Sequence, residues 1–319
     1  MEETLVSTPP RFHSLSSPFS SSTEVSEPDY TKPSPKSSAA KAPPPSVTRL
    51  WRPAAQRNLR NQWSNLASYR QKWNSSSSIA RSHVTSLVNA FLSQRYMNAR
   101  ELGVLSDMPD IRKKACCKLF KQQELLQRKL LSFYKDLVAV VTHMIDSSRS
   151  MRCFLKGTSS SPLVQFSNCS REENDTGDGG GIVVFTFWSI SFFEELAQEL
   201  VQMFTLELNL KRLIVVELLS ISCEEVPQIN ELRWSDELYP GEFDDLCLCN
   251  LYSKDVCEPV LPRLKGWNSD IPTVQTKRQS DHDVLQVYIT SWLAEVSIDI
   301  HRVNDIFGLV SEEMHVNLS

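Results

Sequence analysis

The chain has 319 residues, of which 41% are hydrophobic and 23% are charged, and its formal net charge is -4. These values are ordinary for a soluble protein, and the presence of only nine glycines argues against a loop-rich β fold. The chain contains eight cysteines. Its N-terminus lacks the basic segment followed by an apolar segment that is typical of a secretory signal. This combination predicts reduced thiols in a nuclear or cytoplasmic protein.

Charge is distributed unevenly along the chain. Residues 30–100 contain twelve Lys or Arg and no Asp or Glu, whereas residues 194–245 contain three cations among many acids. Such a division predicts either an acidic partner for the first half of the chain or the docking of one half on the other.

The first 48 residues are rich in Ser, Pro and Thr and contain few large apolar side chains. Because such a segment cannot bury enough surface to offset the entropy of ordering, we expect residues 1–48 to be disordered. Thr8 and Ser34 each precede a proline and are candidate sites of proline-directed phosphorylation. A phosphate there would add negative charge beside a basic segment.

Residues 49–73 form a basic amphipathic segment, in which Leu59, Trp63, Leu66 and Trp73 recur at helical spacing. Three interpretations are open. Packing of the tryptophans in the core is favoured, and the others are binding to nucleic acid and binding to an acidic protein. The candidate contacts for such a partner are Arg49, Arg52, Arg57, Arg60, Arg70 and Lys72.

Two further helices are predicted before the middle of the chain. A polar break at residues 74–78 separates the basic segment from a helix over residues 79–100. A capping residue and a proline at Ser106–Asp110 then begin a long helix that apolar spacing continues to about Asp146. Residues 157–181 are rich in Gly, Ser, Asn and Asp, which predicts a flexible linker, and they lack the lysine of a phosphate-binding loop.

The stretch from Phe185 to Ile221 is predicted to be the helix around which the rest of the chain packs. Ser191 and Glu194 fit a capping box, and apolar residues then repeat at helical spacing. Residues 213–221 are almost wholly apolar, which predicts either a buried last turn or a short buried strand. The opposite, polar face consists of Glu194, Glu195, Gln198, Gln202, Thr205 and Asn209.

An acidic turn is predicted at residues 234–245. Its carboxylates, in particular Asp244 and Asp245, offer oxygen ligands for a divalent metal, so a metal-dependent nuclease is an alternative function. No lysine base or histidine accompanies them at useful spacing, and a solvated acidic turn is favoured. We predict no bound metal or cofactor, because zinc-site spacing is also absent from the nearby Cys247, Cys249, Cys257 and His282.

The C-terminal segment carries an apolar residue at steps of 4, 3, 4, 4, 3, 4, 3 and 4. This heptad-like seam with one stutter predicts a single helix in a bundle or a coiled coil. The bulk of Trp292 and Phe307 favours packing within the chain over a free two-stranded coil. The predicted seam is Leu285, Ile289, Trp292, Val296, Ile300, Val303, Phe307, Val310 and Met314.

Four uninterrupted stretches carry a family resemblance. They are LWRPAAQRNLRNQW at Leu50–Trp63, ELGVLSDMPDIRKKA at Glu101–Ala115, SDELYPGEFDDL at Ser235–Leu246 and SEEMHVNLS at Ser311–Ser319. They resemble a plant-specific family required for meiotic DNA double-strand-break formation, the DFO-like family. The resemblance implies a nuclear accessory factor that assists a topoisomerase-like transesterase through contacts, and it carries over no catalytic residues.

The predicted fold is mostly α: a helical bundle with long helices, a disordered N-terminal tail and a Gly/Ser-rich internal linker between residues 49–156 and 182–319. We expect the long helices to close over residues 185–221 as one folded body.

The expected function is a non-enzymatic assembly factor in the nucleus, or alternatively the cytoplasm. Its expected partners are proteins of the meiotic break-forming machinery, with residues 30–100 as the candidate DNA contact. No membrane contact or small-molecule ligand is expected. The alternatives are a helical scaffold unconnected with DNA and the nuclease that uses Asp244 and Asp245.

Overall fold

We describe the protein from a computed structural model, which describes residues 45–156, 163–165, 176–221, 232–263 and 282–318. These residues are mostly helical, as predicted. The α-helices are α1 (Pro45–Ala99), α2 (Ile111–Arg149), α3 (Ile190–Leu219), α4 (Glu242–Leu248), α5 (His282–Ala294) and α6 (Ile300–Met314). A short 3₁₀ helix occupies Gly103–Leu105. The strands form two antiparallel pairs, β1 (Phe154–Lys156) with β2 (Leu163–Gln165) and β3 (Tyr252–Ser253) with β4 (Glu258–Pro259).

The predicted break at residues 74–78 is wrong, because α1 is one helix of 55 residues. At 1.5 Å per residue such a helix is about 80 Å long. Contacts distant in sequence hold the serine run in the helix despite its weak propensity. Ser77 is buried, its hydroxyl donates to Glu295 Oε1 at 2.6 Å, and Trp292 Nε1 donates to the Ser77 carbonyl at 3.3 Å. The helix also begins at Pro45, inside the segment predicted to be disordered.

The long helix α2 begins at Ile111, directly after the predicted start signal. Asp110 precedes it with a left-handed φ of 62°, and its side chain makes no capping hydrogen bond. The helix continues to Arg149, slightly beyond the predicted end at Asp146. Ser106 and Pro109 precede the helix, so the predicted cap and the predicted first-turn proline are wrong, whereas the apolar stretch from Ile111 to about Asp146 is helical as predicted.

The predicted core helix is α3, and its apolar stripe, including Phe193, Leu200, Phe204 and Leu208, is buried. It is helical to Leu219, so the strand alternative for the end of this segment is wrong. The predicted capping box is also wrong. Glu194 is buried and accepts hydrogen bonds from Arg152 Nε at 2.7 Å and from Arg152 Nη2 at 2.9 Å.

The predicted single C-terminal helix is two helices, α5 and α6, separated by residues 295–299. Val296 is 53% exposed and Ile300 is 48% exposed, so these two seam positions are wrong. The chain turns here because Glu295 adopts a φ of 45° and Asp299 caps α6 by accepting from the backbone of the next turn. The other seam residues are buried within the chain, namely Leu285, Ile289, Trp292, Val303, Phe307, Val310 and Met314.

Part of the predicted linker is packed against the helices. The Cys153 amide donates to the Gly177 carbonyl at 2.9 Å, and Gly179 lies against the ring of Trp51. Helices from both sides of this segment belong to one compact unit, residues 42–319, as expected. Linker residues 163–165 form β2, whereas residues 157–162, 166–175 and 1–44, with the candidate phosphorylation sites Thr8 and Ser34, lie outside the described residues.

Candidate nucleic-acid interface

The tryptophans of the basic amphipathic segment are core residues. Trp63 and Trp73 are 0% exposed, and each packs edge-to-face on a phenylalanine, Phe307 and Phe204 respectively. Core packing, the favoured interpretation of these tryptophans, is confirmed. Their rings are therefore not platforms for nucleic-acid bases.

Three of the six candidate cations on the same helix, Arg52, Arg60 and Arg70, donate hydrogen bonds to other parts of this chain. Arg52 donates to the carbonyls of Val184 and Phe185 at 2.9 and 2.6 Å, and Arg60 donates to the Met314 carbonyl at 3.3 Å. These contacts fasten α1 to the segment before α3 and to the end of α6. They correspond to the predicted docking of the basic half of the chain on the other half.

The remaining three arginines and the lysine of this set differ in their surroundings. Arg70 Nη2 donates to Asn304 Oδ1, and Lys72 Nζ lies 5.1 Å from the centre of the Tyr69 ring. Arg49 and Arg57 are exposed. The structure therefore does not bring the six predicted contacts together as one binding surface.

A different basic surface lies where α1 and α2 meet their connecting loop. Gln123 Nε2 donates to Gln94 Oε1 at 2.6 Å, and both side chains are buried. Beyond this pair no residue from 95 to 122 is buried. We call residues 95–122 the arm tip.

The arm tip contains seven Lys or Arg and three Asp or Glu. Its lysines cluster on the first turns of α2, where a shallow depression of about 520 Å³ is lined by Lys113, Lys114, Lys118 and Lys121, with Asp110 and Cys117. Lys114, Lys118 and Lys121 follow the i, i+4, i+7 spacing of one helix face. The rises between them are about 6 and about 4.5 Å along the helix. We call these four lysines the lysine face.

The arm tip is held in shape by contacts between its two helices. Arg112 donates from Nη1 to the Asn98 carbonyl at 3.1 Å and from Nη2 to the Arg100 carbonyl at 2.8 Å. Cys116 Sγ donates to Asn98 Oδ1 at 3.2 Å. These bonds satisfy carbonyls at the end of α1 and fix the first turn of α2, so the lysine face is presented on a fixed backbone.

The lysine face has the chemistry of a polyanion site. Four exposed ammonium groups at the positive end of a helix dipole attract phosphates, and flexible point charges impose no sequence preference. Outside the arm tip, His83 stacks on Phe133 with ring centres 5.3 Å apart. Burial and the neighbouring charge of Lys129 lower the pKa of the His83 imidazole. The histidine thus adds little positive charge near neutral pH.

The lysine face was not predicted, because the acid-free stretch of residues 30–100 is the more prominent basic segment of the sequence. The available signal was five cations within residues 112–121, at the start of the long predicted helix. Apolar spacing showed that this helix would form, but not that its first turns would extend beyond the core.

The acidic turn is only partly solvated. Glu242 is fully buried, where its Oε1 accepts from Arg212 Nε at 2.8 Å and from the Tyr134 hydroxyl at 2.7 Å. Burial and the neighbouring Glu242 raise the pKa of Tyr134 well above its ordinary value. Asp245 accepts from the Tyr239 hydroxyl at 2.9 Å, and Asp244 is exposed. The prediction of a solvated turn is therefore wrong for Glu242.

Among the described residues, no group of three or more His, Cys, Asp and Glu side chains is placed to hold a metal ion. The described helices also include none with the length and apolar character that a membrane crossing requires. In comparisons with known proteins, no protein-family model matches the chain, and no curated protein is significantly similar to it.

Proposed function

We propose that this protein is a non-enzymatic nuclear assembly factor that binds DNA through its arm tip during meiotic double-strand-break formation. The observation that carries the DNA contact is the lysine face, Lys113, Lys114, Lys118 and Lys121, on a part of the chain that the core does not bury. The meiotic role rests on the resemblance of four stretches of the sequence to the DFO-like family.

The surroundings of the lysine face support a contact with an external anion. None of the ion pairs among the described residues involves these four lysines, whereas the buried cations Lys211 and Arg212 each have a carboxylate partner. Cations without a carboxylate partner attract phosphates and counterions, and the single Asp110 in the same depression offsets only part of their charge.

The four resembling stretches coincide with parts of the structure that have identifiable tasks. Glu101–Ala115 lies in the arm tip, and Leu50–Trp63 and Ser311–Ser319 meet through the hydrogen bond from Arg60 to Met314. Ser235–Leu246 contains Glu242, the buried partner of Arg212. The resembling stretches therefore include one exposed surface and the contacts that connect helices within the folded unit, which suits an assembly role.

The DNA contact is tested by fluorescence anisotropy of a short labelled duplex titrated with the full chain. The triple variant Lys114→Gln, Lys118→Gln, Lys121→Gln is compared with Arg57→Gln, Arg81→Gln, Lys254→Gln, which removes the same charge from exposed positions elsewhere. We expect the arm variant to bind about tenfold or more weakly at low salt, because it loses three phosphate contacts. The control is expected to change binding less than about twofold.

An equal loss of DNA affinity in both variants would contradict the assignment of the DNA contact to the arm tip. An unmodified chain that does not bind DNA would support a scaffold unconnected with DNA. The same mixtures, given magnesium or manganese, test the nuclease alternative. Cleavage that disappears in the variant Asp244→Ala, Asp245→Ala would contradict the non-enzymatic proposal.

The meiotic role is tested in plants that lack the protein. We expect fewer programmed breaks in their meiocytes, restored by the unmodified chain and by the Arg57, Arg81, Lys254 control, but not by the arm variant. Normal break numbers in the absence of the protein would contradict the meiotic proposal and leave the DNA-binding result standing.

A further inference from the structure

A groove follows the polar face of α3, on the side opposite its buried stripe. Its floor extends along α3 from Glu194 to Asn209, one wall is the end of α2, and the other is the segment from Cys249 to Arg263. The groove encloses about 1370 Å³, whereas pockets for small molecules typically enclose about 300–1,000 Å³. A floor of this span is about 22 Å long, which equals about four turns of a helix.

The lining of the groove is mixed in character. Gln198 and Gln202 are exposed on the floor, with the buried Val201 between them along α3 and the half-buried Leu206 nearer to Asn209. On the far wall Leu261 is 60% exposed at the rim. An exposed, uncharged amide such as that of Gln198, beside aliphatic side chains, is suited to covering by another polypeptide, because it can exchange water for peptide groups at small cost.

The deep end of the groove contains an acceptor without a donor. Asn209 is 3% exposed, and its Nδ2 donates to the Val260 carbonyl at 2.9 Å. Its Oδ1 is buried and accepts no hydrogen bond from any described residue. Since buried polar atoms are nearly always hydrogen-bonded, a donor supplied by an occupant of the groove would satisfy this oxygen.

The charges around the groove are mostly positive. Three arginines line it, Arg149, Arg152 and Arg263, against a single carboxylate, Glu194. Arg152 is neutralised by its two hydrogen bonds to Glu194. Arg149 and Arg263 are both exposed, and neither forms an ion pair with a described residue. An occupant of this groove would therefore be favoured by carboxylates at its edges.

We propose that the groove docks an acidic amphipathic helix of a partner protein. The apolar face of the helix packs on Val201, Leu206 and Leu261, and carboxylates on its flanks meet Arg149 and Arg263. A polar side chain of the helix donates to Asn209 Oδ1. This is the helix-in-groove mode of recognition, in which apolar anchors supply affinity and flanking charges supply orientation.

Docking in the groove goes beyond the DNA contact of the arm tip and uses none of its residues. A chain that binds DNA without binding peptides, or peptides without DNA, would separate the two proposals. Two occupants compete with a partner helix, namely the acidic residues Glu172 and Glu173 of this chain and a second copy of the chain.

The test uses the full chain and a displayed library of helical peptides of about 15 residues, the length that spans the floor. The library varies both charge and apolar spacing. We expect selection to enrich peptides with aliphatic residues at i, i+4 and i+7 and with Asp or Glu on the flanks. Enrichment of basic peptides, or of no pattern, would overturn the proposal.

The enriched peptides are then measured by fluorescence polarisation against matched variants. We expect Arg149→Gln, Arg263→Gln to weaken binding at least about tenfold, and the exposed control Arg81→Gln, Arg128→Gln to leave it within about twofold. Thr205→Trp, which fills the groove from a half-buried position, is expected to abolish binding. Circular dichroism and thermal melting identify any variant that has lost its fold.

Three outcomes would assign the groove differently and overturn the proposal. Binding that is insensitive to Thr205→Trp would place the peptides elsewhere on the protein. Binding that appears only in the variant Glu172→Gln, Glu173→Gln would assign the groove to the chain's own acidic residues. Dimerisation that Thr205→Trp abolishes in analytical ultracentrifugation would assign it to a second copy.

Discussion

Gln123 Nε2 donates to Gln94 Oε1 at 2.6 Å, and this buried hydrogen bond lies where the core of the protein ends and the arm tip begins. One turn along α2 on the core side, Gln127 Nε2 donates to the Leu219 carbonyl at the end of α3 at 3.3 Å. Toward the core α2 thus contacts α3, whereas beyond the glutamine pair no residue is buried until the chain has passed through the arm tip and returned.

The hydrogen bond between Gln123 and Gln94 is expected to stabilise the base of the arm tip, because it gives two buried polar groups a partner. Gln123→Ala leaves Gln94 Oε1 buried without its donor, which costs about 1–3 kcal/mol in the free energy of unfolding. The double variant Gln94→Leu, Gln123→Leu is expected to unfold closer to the unmodified chain, because it leaves no unpaired polar group. Urea denaturation measures both, and a double variant less stable than Gln123→Ala would contradict this account.

The buried ion pair between Arg212 and Glu242 is expected to be the most sensitive charged contact in the fold. Arg212→Met leaves the fully buried Glu242 without its counter-charge, and such losses cost about 3–5 kcal/mol. Arg302→Met serves as the control, since Arg302 pairs with Glu199 in a partly exposed contact and should change stability little. Equal shifts of the denaturation midpoint in the two variants would contradict the expectation that burial determines how much stability is lost when the ion pair is broken.

Gly179 is required for packing rather than for phosphate binding. Its φ is +68°, and a Cβ built on it overlaps the ring of Trp51, whereas Gly180 has a φ of +74° and open space around it. Gly180→Ala therefore carries only the backbone cost of a left-handed conformation, about 1–2 kcal/mol. Gly179→Ala adds the overlap with Trp51, a further cost of about 1–3 kcal/mol. Thermal melting of both variants tests the difference, and equal melting temperatures would contradict it.

Two buried thiols are expected to make stability depend on alkaline pH. Burial raises the pKa of Cys153 and of Cys249 from 9.0 to about 11. Between these values the unfolded chain has lost the thiol protons while the folded chain retains them, so stability falls as pH rises from about 9 to about 11. Thermal melting across this range checks the sign against the variant Cys153→Ala, Cys249→Ala, whose fall should be smaller.

The same thiols are expected to resist alkylation. In the native protein at pH about 8, iodoacetamide should modify the exposed Cys117 and Cys257 and spare Cys153 and Cys249, because the thiolate is the reactive form. Peptide mass mapping measures this directly. Modification of the buried pair at the rate of the exposed pair would mean that this part of the core opens readily.

The long helices were predictable because their apolar residues repeat with the period of the secondary structure itself. The stripe of α3 is the clearest case. The end of that helix departs from this pattern, because the charged side chains of Lys211 and Arg212 are both 0% exposed. Lys211 Nζ lies 3.7 Å from Glu295 Oε1 and 4.4 Å from the centre of the Trp292 ring. Such partners, distant in the sequence, are invisible to periodicity.

Two wrong predictions have the same physical origin. The serine run at residues 74–78 appeared to be a break, and the seam through Val296 appeared continuous. In the structure, Glu295 accepts hydrogen bonds from Trp73 Nε1 at 3.2 Å and from Ser77 Oγ at 2.6 Å. This one residue joins α1 across its serine run and lies where α5 ends, so a single long-range contact overrides local propensity at both places.

The lysines of the lysine face could be identified from the sequence, but their exposure to solvent could not. The cluster of cations at residues 112–121 is plain in the chain, yet a helix with apolar spacing predicts burial along its whole length. That α2 extends past the end of α3 depends on the relative lengths and registers of three helices, which no local pattern contains.

The salt dependence of DNA binding tests the central claim most directly. For the unmodified chain and for the variant Lys114→Gln, Lys118→Gln, Lys121→Gln, the affinity for a short duplex is measured across a series of salt concentrations. If the lysine face binds phosphates, the logarithm of the affinity falls linearly with the logarithm of salt concentration, and the slope of the variant is shallower by about 3. Parallel slopes, or an affinity of the unmodified chain that does not respond to salt, would contradict it.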